Sequence, residues 1–154
     1  MSRLIDLGCQ VAEVHHRYHE IHGAIFGTAS FRLILDALRG RRRRTYHGYA
    51  QTLAGLRDEL AGLDPEIADL AEKGSAKATE REVLRVLLLY MRALDDAMAG
   101  LLLIFENLEE DESGYRDTGT DGRSGFTRDK LAYDHTLSEL ERLGTRLNRL
   151  FANY

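Results

Sequence analysis

Proline is almost missing from this chain: Pro65 stands alone among 154 residues. Long helices are therefore open to it, since little else removes backbone donors or locks φ. Tryptophan is absent, and Cys9 is the single cysteine. One thiol excludes an intramolecular disulfide and a multi-cysteine zinc site, and it fits a reducing compartment. An uninterrupted apolar run is also lacking. The most apolar stretch, residues 86–105, contains Arg92, Asp95 and Asp96, charges too costly for the centre of a lipid-facing helix. The opening MSRLIDLGCQVAEVHH has no apolar core of signal-peptide length before charges return. These absences predict a cytoplasmic protein without membrane attachment.

The signatures of several enzyme classes are missing too. There is no Gly-Lys-Ser/Thr phosphate loop, no dinucleotide fingerprint and no nucleophile elbow. The segment Asp117–Gly122 opens like a calcium loop, but Gly119 and Arg128 stand where oxygen ligands are required. Cys9 lies off the apolar stripe of its helix, with nothing nearby in sequence to activate it.

What is present is helical patterning. Apolar residues recur at Leu4, Leu7, Val11, Val14, Tyr18, Ile21 and Ile25, the three-to-four spacing of a helix with one buried face. Gly23 and Gly27 are expected to end it. A second helix is expected from Thr28 or Ser30, its stripe running through Phe31, Ile34 or Leu35, and Leu38. The stripe resumes at Tyr49, Leu53, Leu56, Leu60 and Leu63. A continuous helix there carries Arg42 towards the core; the alternative is a break at Gly40. Asp64-Pro65-Glu66 reads as the start of a separate short helix ending near Gly74. Thr79 opens a helix to about Glu110 that is apolar around most of its girth, as suits a central or subunit-shared element. Glycines and small polar residues predict a mobile loop over 111–126. Thr127 is expected to cap a last helix with the stripe Tyr133, Leu137, Leu140, Leu143 or Gly144, Leu147 and Phe151. The whole reads as one domain over 1–154. Its fold class is all-α: an antiparallel four-helix bundle with one extra short connecting helix.

Charge is unevenly spread. The net value is −4, which argues against a protein that coats nucleic acid. Residues 1–60 carry 9 basic and 6 acidic side chains, a balance of +3, and the remainder carries 12 and 19, a balance of −7. The basic excess sits in Arg39, Arg41, Arg42, Arg43 and Arg44, a candidate anion-binding run. The acidic excess peaks around Glu106–Glu112. The two clusters are expected to neutralise each other within the fold or across a dimer.

Six histidines are present, four of them in EVHHRYHEIHG. At about 100° per residue, His15, His19 and His22 form one line beside the apolar stripe. A histidine pair one turn apart brings two ring nitrogens to one point, so this line is a candidate divalent-metal site, completed by Asp95 or Glu106. The structural alternative is a set of boundary histidines bonded locally. No resident cofactor is otherwise expected. With helices alternating in direction, His15, Arg42 and Asp95 fall at similar depth, Glu106 near His22 and Asp134 near His19. The favoured account of this layer is a buried Arg42–Asp95 pair with His15 beside it.

The run Arg41–Arg44 leads into Thr45, Tyr46, His47, Gly48 and Tyr49, basic groups interleaved with aromatics that suit a nucleic-acid backbone and stacked bases. Arg42-x-x-x-x-His47-x-Tyr49 resembles the short motif of the HEPN ribonuclease toxins. Arg43 stands where that family usually has asparagine. The resemblance covers eight residues and implies RNA cleavage by the arginine and histidine at a dimer interface. In a straight helix Arg42 and His47 point about 140° apart, so a shared site requires a bend or a partner chain. Three functions are thus expected to compete. The first is a non-enzymatic interaction or regulatory module, homodimeric, with a possible protein partner. The others are an RNA-binding or RNA-cleaving bundle and a metal-binding bundle.

Overall fold

The computed structural model describes residues 3–26, 43–73, 77–110 and 124–154. Four helices are formed among them: α1 (Arg3–Phe26), α2 (Arg43–Glu72), α3 (Ala78–Glu110) and α4 (Ser124–Ala152). No strand is formed among the described residues. None of these helices is long and apolar enough to cross a membrane.

Cross-helix contacts fix the directions. Arg3 meets Glu66 while Arg17 meets Glu59, so α2 runs opposite to α1. Tyr49 stacks on Phe105, with ring centroids 5.9 Å apart, while Arg57 binds Asp95, so α3 reverses again. Glu82 pairs with Arg146 near one end of α3 while Gly100 abuts Tyr133 near the other, which turns α4 back once more. The result is an antiparallel up-down-up-down bundle. It closes where α1 meets α4, with Gly8 against Phe151 and Tyr18 against Tyr133.

The apolar stripes make the core. Leu4, Leu7, Val11, Val14, Tyr18 and Ile21 of α1 are all buried. So are Leu53, Leu56, Leu60 and Leu63 of α2, and Tyr133, Leu140, Leu143 and Leu147 of α4. α3 is the central element, and it makes its broadest contact with α4 and its next broadest with α2. Its near-circumferential apolar surface is accordingly mostly hidden, with Leu89 and Leu103 left in solvent.

Two element boundaries differ from the sequence expectation, and the end of α1 falls at the second of its two expected stops. The short helix predicted at Pro65 is not separate, because α2 continues through that proline to Glu72. Tertiary burial overrides the local stop signal: Ile67 prolongs the Leu56, Leu60, Leu63 stripe and is fully buried. α1 passes Gly23 and ends at Phe26, the residue before Gly27. One helical glycine costs about 1 kcal/mol, too little to stop a helix already anchored by Tyr18 and Ile21. α4 begins at Ser124 rather than Thr127. The start expected at Thr28 or Ser30, the choice at Gly40 and most of the 111–126 loop lie outside the described residues.

Two close approaches set the α3–α4 spacing. A side chain built at Gly100 would place its first carbon 3.2 Å from the Tyr133 ring, and one at Gly144 would lie 3.3 Å from the Tyr90 ring. Each tyrosine therefore lies against bare backbone on the opposite helix.

Candidate functional site

Two features rise from this frame: a line of histidines tied to buried phenols, and an open groove between α2 and α3.

The histidine line is continuous. His15 and His19 have ring centroids 6.2 Å apart, and His19 and His22 6.1 Å apart and nearly parallel. His16 points away and pairs with Glu20 at 3.2 Å. His15 Nδ1 is hydrogen-bonded to Tyr90 of α3. His22 Nδ1 lies 2.7 Å from the Tyr133 hydroxyl of α4. The Tyr133 hydroxyl in turn bonds the Tyr18 hydroxyl. A neutral His22 that accepts from Tyr133, while Tyr133 accepts from Tyr18, satisfies this chain of groups. The hydroxyls need such partners, because Tyr18, Tyr90 and Tyr133 are buried.

The electrostatics keep the network uncharged. Burial pushes the Tyr18 phenol up to about 12, and burial likewise drives Tyr90 and Tyr133 upward. Burial lowers His15, assisted by its neighbours His19 and His16. His22 is lowered by burial, then by His19 and Lys130, against an opposing pull from Asp134. The network is thus a set of neutral donors and acceptors joining α1 to α3 and α4.

A pH dependence follows. Both histidines titrate lower in the folded chain than the ordinary value of 6.5. Below 6.5 the unfolded chain therefore binds more protons, and stability from this source is complete above 6.5 and drains away as pH falls towards the folded values. Urea unfolding is expected to show a smaller free energy at about pH 5 than at about pH 7. The double variant His15→Gln/His22→Gln is expected to lose part of that slope. Identical slopes in the two proteins would contradict the assignment.

The sequence-predicted polar layer is only partly assembled. Arg42, the partner expected for Asp95, lies outside the described residues. Arg57 of α2 grips Asp95 through two bonds of 2.8 and 3.2 Å. The pair is open to water, with 36% and 40% of the two side chains exposed. It therefore contributes at most about 1 kcal/mol, and Asp95 is half-exposed where the sequence reading expects it buried. Glu106 is exposed. Asp134 is bound by Lys130 of its own helix. No three histidine, cysteine or acidic side chains among the described residues gather as a metal-holding group.

Of the motif that resembles the ribonuclease toxins, Arg39, Arg41, Arg42 and the side chains of Arg43, Arg44 and His47 lie outside the described residues. Tyr49 is half-buried and stacks on Phe105.

The second feature was missed from the sequence. A groove of about 650 Å³ opens between α2 and α3. Its floor includes Leu60, Met91 and Leu102, and Ala54 and Ala61 keep the α2 wall low. Asp58, Asp64, Asp95 and Asp96 line it together with Arg57 and Arg92. The signal available was the pair of alanines seven residues apart on α2, which only acquires meaning beside the face of α3. The phenol partners of the histidines were also missed. Tyr18 and Tyr133 were legible as core positions, but not as hydroxyls meeting across helices.

Comparison with protein-family models, curated proteins and solved structures finds no match to this chain.

Proposed function

We propose that this chain is a non-enzymatic helical-bundle module that acts by binding other protein chains. The observation that carries the reading is the α2–α3 groove: an open, amphipathic furrow with an apolar floor and charged edges. Protein-binding sites combine these properties, with apolar anchors at the centre and a polar rim. The hydrogen-bonded network that ties α1 to α3 and α4 gives the groove a rigid frame on the α3 side.

The module is proposed to be a homodimer. Leu89 and Leu103, 36% and 46% exposed, lie on the outer side of α3. The positive excess of residues 1–60 and the negative excess of the remainder favour pairing between copies. Light scattering at micromolar concentration is expected to give twice the chain mass of 17.4 kDa, and Leu103→Asp is expected to return the single mass. A single mass for the unaltered chain at these concentrations would overturn the dimer.

A further inference from the structure

The α2–α3 groove has the dimensions and charge of a receptor for one kind of structure. Ala54 and Asp64 mark its two ends along α2. Ten residues of helix at 1.5 Å each make it about 15 Å long, close to three helical turns. The floor leucines and Met91 offer an apolar, adaptable surface of the sort that receives the apolar face of a helix. Two α2 positions on its wall are alanine, which leaves room for a third helix to settle between the two.

The charges decide which helix. Four carboxylates stand along the groove against two guanidinium groups. Arg57 is committed to Asp95 by its two hydrogen bonds and also lies in the fields of Asp58 and Asp96. The groove is left with excess negative charge on either side of an apolar floor. We infer that it binds a short cationic amphipathic helix of a partner protein, with apolar residues at i, i+3 or i+4, and i+7 on the floor and lysines or arginines flanking them. This inference rests on the protein-binding reading above and names the partner chemistry.

The test uses the full chain and synthetic probes. A fourteen-residue peptide with leucine at that spacing and lysine elsewhere is compared with one in which every lysine is glutamate, and with a scrambled lysine peptide. Titration by fluorescence anisotropy is expected to show binding of the patterned lysine peptide, weakening as salt rises. The other two are expected to bind at least about tenfold more weakly. Ala61→Trp, which fills the groove without altering charge, is expected to abolish binding, and Ala54→Trp does the same at the opposite end. Circular dichroism confirms that each variant is folded. Asp58→Asn/Asp96→Asn is expected to weaken binding about tenfold and flatten its salt dependence.

Equal binding of the glutamate or scrambled peptide overturns the inference. So does unchanged affinity in folded Ala61→Trp and Ala54→Trp, which would place the peptide elsewhere on an acidic surface. Loss of self-association in Ala61→Trp would give the groove to a second copy of this chain and overturn a foreign helix as its occupant. Failure of all peptides with a persistent dimer removes this inference alone; failure of all peptides with a monomer removes the protein-binding reading as well.

Discussion

Replacing Tyr133 by alanine is expected to lower the unfolding free energy by about 3–5 kcal/mol. The ring is 1% exposed, and it fills the space over Gly100, so its removal leaves a cavity that the backbones of α3 and α4 cannot readily close. The hydroxyl adds a second loss. It is bonded to both Tyr18 and His22, and a buried polar group that loses its partner costs about 1–3 kcal/mol. Small domains are stable by about 5–15 kcal/mol, so the alanine variant retains only a fraction of its folded margin. Tyr133→Phe separates the two contributions, because it keeps the ring and removes only the hydroxyl. It is expected to lose about 1–3 kcal/mol. Urea unfolding of the three proteins, followed by circular dichroism at neutral pH, measures both differences. A phenylalanine variant as stable as the unaltered chain would show that the phenol hydrogen bonds contribute nothing.

The opposite sign is expected at Pro65. It lies within the continuous α2 helix. There it has no N–H to give the Ala61 carbonyl, and its ring crowds that same group. An interior helical proline costs about 3 kcal/mol or more. Part of this is offset because proline also restricts the unfolded chain, an effect of about 0.4–1 kcal/mol. Pro65 is exposed, so alanine gives up no core contact. Pro65→Ala is expected to stabilise the protein by about 2 kcal/mol. For a chain of this size that raises the melting temperature by about 4–8 °C. A lower melting temperature would mean that the helix near residue 65 depends on proline's fixed φ.

Burial was readable from the sequence wherever it depends on spacing within one helix. Every α1 residue from Leu4 to Ile21 assigned to the stripe is buried, because a three-to-four repeat specifies a helix face without reference to any other element. Pro65 misled because its signal is local, whereas Ile67 is held by side chains from elsewhere in the fold. Asp95 was correctly set beside the apolar arc, but a helical wheel cannot choose between arginines on a different helix. That choice depends on the depth at which α2 meets α3, and it brings Arg57 to the carboxylate. The histidine line was legible for the same reason as the stripe. Its phenol partners were not, since Tyr90 and Tyr133 lie 75 and 111 residues away in sequence from the histidines they bond. The groove belongs to neither helix alone.

The reciprocal seating of Tyr133 over Gly100 and Tyr90 over Gly144 works as a two-way latch, with one peg and one socket on each helix. Sliding α4 along α3 by a single turn, about 5.4 Å, unseats both rings together and brings each against a neighbouring side chain. The two contacts therefore report one and the same longitudinal register of α4 on α3.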